Sequence, residues 1–95
     1  MPEMRFHIRW PNGAAETCYS PSLVVKDFFS PGESYPLADF LQRSRTAFGI
    51  ASRRVEEKYG FPCSRAADQL ARIETAARAF AGIPEARIAV DAFEE

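Results

Sequence analysis

The sequence predicts an α+β fold, in which two long antiparallel helices cover one face of a small antiparallel sheet of about three strands. Three observations favour this class. The N-terminal residues alternate apolar and polar side chains around Asn12-Gly13, two later stretches repeat apolar residues every three or four positions, and the C-terminal residues alternate again. The expected order is strand, strand, short helix, long helix, long helix, strand, within a single domain spanning residues 1–95.

The N-terminal alternation predicts a β-hairpin with a defined register. Asn12-Gly13 is typical of a two-residue type I′ turn, which would fix how the two strands pair. The expected pairs are Trp10 with Ala15, Ile8 with Thr17, Phe6 with Tyr19, Arg9 with Glu16, His7 with Cys18, and Arg5 with Ser20. The side that carries Trp10 is expected to face the core, which leaves His7 and Cys18 together on the solvent side.

The middle of the chain predicts one short helix and two long ones. Ser22 can cap a short helix directly after it, although two adjacent valines leave an extended segment open. A long helix is expected to begin near Pro36, since proline is tolerated in the first turn, and to end at Gly60. Ser64 is expected to cap a second long helix that ends at the Gly-Ile-Pro sequence of residues 82–84.

The alternation from Ala86 to Phe93 predicts the last strand. Because a two-stranded hairpin alone is marginally stable, this strand is expected to complete a three-stranded sheet, beside either the first or the second strand. Two long helices joined by only a few residues become antiparallel neighbours. Their shared apolar face needs the hairpin as a cover.

Composition and charge argue against several classes of function. The chain carries 12 Lys and Arg against 13 Asp and Glu, so no overall field favours nucleic acid or a membrane surface as a partner. No apolar segment approaches the roughly 20 residues needed to cross a bilayer, and a cytoplasmic location is expected. The two cysteines are expected to stay reduced. No cluster of four zinc ligands is found, so neither a metal nor another cofactor is expected.

His7 and Cys18 are the first candidates for reactivity or ligand contact. In the expected register their Cβ atoms lie about 5 Å apart between Arg5 and Arg9, and a thiol in a basic, partly exposed setting loses its proton more readily. Mixed polar residues are nevertheless typical of the solvent face of any antiparallel hairpin. Because no oxyanion donor or orienting acid is identifiable, the structural explanation is favoured and no catalytic residue is assigned.

Cys63 is the third such candidate, because it stands just before an expected helix N-terminus, where the helix dipole favours a thiolate. Cysteines more often pack as small apolar residues beneath a loop. Two regions at the ends of elements are candidate partner-binding surfaces, since side chains project there. Their residues are Tyr19, Ser20 and Ser22 at the corner after the hairpin, and Ser64, Asp68 and Gln69 at the start of the second long helix.

Several phrases spread over the chain resemble one family. They are Arg9-Trp10-Pro11-Asn12-Gly13, Cys18-Tyr19-Ser20-Pro21-Ser22, Tyr35-Pro36-Leu37-Ala38-Asp39-Phe40, Ser44-Arg45, and Lys58-Tyr59-Gly60-Phe61-Pro62-Cys63-Ser64 with Asp68-Gln69-Leu70. Together they resemble the small bacterial nitrogen starvation response proteins, whose genes stand in clusters with a nitrilase and other enzymes. The resemblance covers essentially the whole chain. It implies a bacterial cytoplasmic protein linked to nitrogen or nitrile metabolism, and it implies no catalytic residue.

The leading hypothesis is a non-catalytic accessory or regulatory protein that binds another protein, and an enzyme encoded in the same gene cluster is the candidate partner. Small size, the missing catalytic constellation and the family resemblance motivate it. The alternative is a small thiol-dependent enzyme or a ligand-binding protein that uses Cys18 with His7, or Cys63 with Asp68. A core this small leaves little room for a pocket unless two chains share the site, so a homodimer would favour the alternative.

Overall fold

The computed structural model describes residues 3–61 and 64–95. It has the predicted α+β class, with a four-stranded antiparallel sheet and two long helices. The elements are β1 (Met4–Arg9), β2 (Ala15–Ser20), a 3₁₀-helix (Leu23–Asp27), β3 (Ser34–Pro36), α1 (Leu37–Tyr59), α2 (Ser64–Arg78) and β4 (Arg87–Glu94). The strand order is β2-β1-β4-β3. The C-terminal strand therefore lies beside the first strand, one of the two arrangements that the sequence left open.

The sheet has one strand more than the sequence predicted. β3 is only three residues long, so it carries no alternation that could distinguish it from a loop. Its attachment to β4 is made by the backbone of the preceding residues. The Gly32 N–H donates to the Val90 carbonyl at 2.7 Å, and the Val90 N–H donates to the Glu33 carbonyl at 2.8 Å. These two bonds align the chain with β4 before β3 begins.

The hairpin register differs by one residue from the predicted one. The loop holds three residues, with the Gly13 N–H donating to the Trp10 carbonyl at 2.8 Å and the Trp10 N–H donating to the Ala14 carbonyl at 2.9 Å. A two-residue Asn12-Gly13 turn would need an N–H on Pro11 to close the hairpin, and proline has none. Proline instead occupies the second position of a four-residue turn, and Gly13 adopts the positive φ of 88° that follows.

The shifted register changes which side chains face the core. Cys18 pairs with Phe6 and faces inward, whereas Thr17 pairs with His7 on the open face of the sheet. The predicted pairing of His7 with Cys18 is therefore wrong, because a slip of one residue moves a side chain to the opposite face. The apolar side chains of β1 still face the core as predicted, and Trp10 is only 5% exposed.

Both long helices form where the apolar periodicity predicts them. α1 begins after Pro36 and ends at Gly60, whose positive φ of 85° terminates it as expected. Ser22 caps the 3₁₀-helix by accepting a hydrogen bond from the Val24 N–H at 3.3 Å. α2 ends at Arg78 rather than at the predicted Gly-Ile-Pro sequence, because the chain after it tightens into a series of i→i+3 turns.

The core lies between the two helices and the inner face of the sheet. The helices are antiparallel, since they join at residues 60–63 while Arg45 of α1 and Glu74 of α2 form an ion pair of 2.9 Å further along. Stacked and edge-on aromatic rings fill the centre of the core. The ring pairs are Phe6 with Phe29 and Phe48, Phe29 with Phe40 and Tyr35, and Trp10 with Phe40 and Phe80.

The loop geometry makes Gly13 a test of the register. We expect Gly13→Ala to lower the free energy of unfolding by about 1–2 kcal/mol, because alanine is strained at a positive φ. Gly49→Ala is the matched control: it lies inside α1 with no heavy atom within 4 Å of its added Cβ, so it should raise stability by about 0.5–1 kcal/mol. Urea unfolding measures both. Equal effects of the two substitutions would contradict the loop assignment.

Candidate functional site

A surface groove runs between α2 and the edge strand β2, and we refer to it as the α2–β2 groove. One end has a volume of about 360 Å³ and the other about 240 Å³. Arg72 lines both ends, so the two ends adjoin along the helix. The larger end is lined by Glu16, Ala71, Arg72, Thr75 and Ala76, and the smaller end by Tyr19, Arg65, Asp68, Gln69 and Arg72.

The smaller end of the groove is organised around Tyr19. The Tyr19 N–H donates to the carboxamide oxygen of Gln69 at 3.0 Å. The guanidinium of Arg65 lies 4.0 Å from the centre of the Tyr19 ring, in a cation–π contact, and it also approaches the Glu3 carboxylate at 4.0 Å. Within the described residues, Nε2 of Gln69 is buried without a hydrogen-bond partner. This end therefore presents the guanidinium groups of Arg65 and Arg72.

The larger end of the groove is less polar. Two alanine methyl groups and Thr75 of α2 line it, together with Glu16 of β2. The sequence predicted Glu16 to pair with Arg9 on the solvent face, whereas Glu16 pairs with Ile8. One of its carboxylate oxygens accepts a hydrogen bond from the Trp10 indole at 3.0 Å. Glu16 thus provides the acceptor that the indole N–H of the buried Trp10 needs, and it does so at the rim of the groove.

Three of the six predicted partner-binding residues meet in this groove. Tyr19, Asp68 and Gln69 all line its smaller end, although Tyr19 and Gln69 are 50 residues apart in sequence. Ser64 is the first residue of α2 and is exposed. The sequence analysis missed Arg65 and Arg72. Their spacing from Asp68 and Gln69, three or four residues along one helix, was the signal that could have identified them.

Ser20 and Ser22 lie inside the protein and hold the corner after the hairpin. They are 0% and 2% exposed. The Ser20 hydroxyl donates to the Ser22 carbonyl at 2.7 Å. The Ser22 hydroxyl accepts hydrogen bonds from the Val24 N–H at 3.3 Å and from the Arg54 guanidinium at 3.1 Å. These contacts stabilise the corner and leave little of either side chain for a partner.

His7 lies on the open face of the sheet, between two polar side chains. Its Nδ1 is 2.9 Å from the Thr17 hydroxyl, and its Nε2 is 3.0 Å from the Glu94 carboxylate. The three groups span the neighbouring strands β2, β1 and β4. In this order the carboxylate can orient the imidazole, and the imidazole can accept a hydrogen bond from the hydroxyl. The imidazole is 37% exposed and the carboxylate 63%, so the row stands in water rather than in an enclosed pocket.

Cys18 is enclosed in the core instead of lying on the solvent side. It is a free thiol and 0% exposed. The pKa of the Cys18 thiol is raised to about 12, chiefly by burial and secondly by the nearby Glu16 carboxylate, while Arg72 partly offsets the increase. The prediction that Cys18 is partly exposed in a basic setting is wrong, because the three-residue loop turns this position inward. A thiol with this pKa is protonated at neutral pH.

The remaining predictions concern Cys63, metal ligands and membrane-spanning segments. Cys63, the third reactive candidate, lies outside the described residues. Among residues 3–61 and 64–95, no group of three or more histidine, cysteine, aspartate and glutamate residues could hold a metal ion. In the same part of the chain, neither helix is long and apolar enough to cross a lipid bilayer.

Comparison with known families identifies the chain. The model of a family described as nitrogen starvation-induced protein NitG matches residues 5–93. The chain belongs to the NitG family. This confirms the resemblance to nitrogen starvation response proteins that the sequence phrases indicated. No curated protein and no solved structure matches the chain.

The burial of Cys18 predicts that the native thiol is inert. In a Cys63→Ser background, so that only Cys18 is measured, iodoacetamide at pH 7.5 should alkylate the folded protein at least about 100-fold more slowly than the urea-unfolded protein. The physical reason is that both access and thiolate formation are suppressed in the core. Mass spectrometry of timed samples gives the two rates. Similar rates in the two states would show that Cys18 is accessible.

Proposed function

We propose that this NitG-family chain is a non-catalytic accessory or regulatory protein of bacterial nitrogen or nitrile metabolism, and that it acts in the cytoplasm by binding another protein. The candidate partner is an enzyme of the same gene cluster, with the nitrilase as the first to test. The family supplies the link to nitrogen starvation. The α2–β2 groove supplies the surface on which the proposal depends.

The convergence of Tyr19, Asp68 and Gln69 at one end of the groove is the observation that carries the proposal. A binding surface needs polar and aromatic groups that are held in place, and Tyr19 and Gln69 are held by a hydrogen bond between them and by the cation–π contact of Tyr19 with Arg65. The groove is also open along its length, which suits a protein surface or a peptide better than a small enclosed molecule.

The alternative, a thiol-dependent enzyme or a ligand-binding protein with a site shared between subunits, is less favoured. One of the two nucleophiles that it could use, Cys18, has its pKa raised to about 12, chiefly by burial. His7, its proposed base, lies on the opposite face of the sheet from Cys18. A homodimer that places a second chain over the groove would revive the ligand-binding form of this alternative, so the mass of the native assembly is part of the test.

The test is a direct mixing experiment. The chain and the nitrilase of a cluster that encodes both are purified and combined, and light scattering after size exclusion gives the mass of each species. We expect a complex heavier than either component and a change in the rate of the nitrilase when this chain is added. No complex and no change in rate, with that enzyme or the other cluster enzymes, would refute the proposed function.

Two tryptophan substitutions locate the contact. Ala71→Trp places a bulky ring in the groove and should weaken the complex at least about ten-fold by steric exclusion. Ala38→Trp makes the same change at an exposed position of α1, away from the groove, and should leave the affinity unchanged. Unfolding curves of both variants check that the fold is retained. Equal affinities of the two variants would place the contact elsewhere on the protein.

A further inference from the structure

We propose that the α2–β2 groove and the adjoining part of the β2 edge bind an extended, acidic segment of the partner protein, which adds to the sheet as a fifth strand. The inference rests on the proposed binding function and specifies the chemistry of the partner. Strand addition to an exposed edge derives its affinity from backbone hydrogen bonds and its specificity from alternate side chains. The edge, the shape of the groove and its charge each favour this occupant.

The β2 edge is open over its first three residues. β2 lies at the end of the sheet and pairs only with β1. Because the Ala14 carbonyl accepts a bond from β1, the alternation of an antiparallel ladder directs the N–H and C=O groups of Ala15 and Thr17 away from β1. The next outward amide, that of Tyr19, is covered by the Gln69 carboxamide at 3.0 Å. An added strand therefore has backbone partners at Ala15 and Thr17.

The opposite edge of the sheet is protected against the same pairing. β3 has three residues and ends in Pro36, which has no N–H to offer. The Arg87 guanidinium donates to the Ser34 carbonyl at 2.8 Å and to the Ser34 hydroxyl at 3.0 Å. Short length, proline and a covering cation are common ways of blocking an edge strand. Of the two edge strands, β2 therefore has the more accessible backbone.

The groove has the spacing of an extended chain. Its two ends are centred about five residues apart along α2, which at 1.5 Å per residue is roughly 7 Å. Two residues of a β-strand advance by nearly the same distance, so alternate side chains of an added strand would enter the two ends. The larger end accepts an apolar side chain, since the methyl groups of Ala71 and Ala76 form part of its wall.

The other end has the charge for a carboxylate. Among the described residues, Arg72 makes no ion pair within 4 Å. Arg65 lies beside it over the Tyr19 ring, and Asp68 is the single carboxylate that lines this end. A carboxylate at this end would pair with Arg72, which an apolar or cationic side chain could not do.

The test uses a short peptide of matching pattern, acetyl-Thr-Glu-Thr-Val-Thr-amide, titrated into ¹⁵N-labelled protein. We expect saturable shifts of backbone amides confined to residues 15–19 and 65–76. Two further peptides carry N-methyl groups on the even or on the odd residues. One of the two should lose at least about ten-fold in affinity and the other much less, because only alternate N–H groups of an added strand face β2. Equal affinity of both would exclude strand addition.

The charge is tested by a matched pair of substitutions. Arg72→Glu should weaken peptide binding at least about ten-fold, whereas Arg53→Glu, at an exposed position of α1, should change it less than about two-fold. Replacing the glutamate of the peptide by glutamine should weaken binding to the wild-type protein and have little effect with Arg72→Glu. No amide shifts up to about 5 mM peptide, or equal effects of the two arginine substitutions, would overturn the inference.

This result is separable from that of the proposed function. If the nitrilase binds and Arg72→Glu leaves that complex unchanged, the groove is not the acidic-strand site, while the proposed function stands. If the peptide binds as described and no cluster enzyme does, the groove assignment stands and the choice of partner is wrong.

Discussion

The missing N–H of Pro11 is the constraint on which the rest of the structure depends. It prevents the two-residue turn that Asn12-Gly13 would otherwise favour and produces a three-residue loop. The loop shifts β2 by one position relative to β1, and because side chains alternate, the whole strand changes face. Cys18 and Ser20 enter the core, while Thr17 moves to the open face beside His7. One backbone atom thus decides where the thiol and the polar row around His7 lie.

Most of the fold could be predicted from local sequence, whereas the details of pairing could not. Periodicity identified both long helices, and Gly60 marked the end of α1 because its positive φ suits glycine. Strand order depends on long-range packing that no local pattern contains, and β3 is too short to show alternation. The register failed for a different reason. Asn12-Gly13 by itself favours a two-residue turn, but Pro11 stands directly before it in the sequence and has no N–H with which to close that turn.

The candidate site was predictable in part for a related physical reason. Residues at the ends of elements were selected because they project, and this criterion found Tyr19, Asp68 and Gln69. The same criterion selected Ser20 and Ser22, but both hydroxyls form hydrogen bonds within the corner after the hairpin. Whether a side chain at the end of a strand projects into solvent or faces the core cannot be decided until the strand register is known. With the correct register, Ser20 pairs with Met4 on the inner face and would have been assigned to the core.

The position of Gln69 links the stability of the sheet to its capacity for binding. Edge strands attract unintended pairing, and natural proteins commonly cover them. Here the carboxamide oxygen of Gln69 covers the amide of Tyr19, while the backbone groups nearer the loop stay open. Covering the whole edge would abolish strand addition, and covering none of it would expose β2 to indiscriminate pairing. A half-covered edge, bordered by Arg72, instead suits the short acidic segment proposed above, because Gln69 protects one end of the strand while the other end keeps its backbone groups.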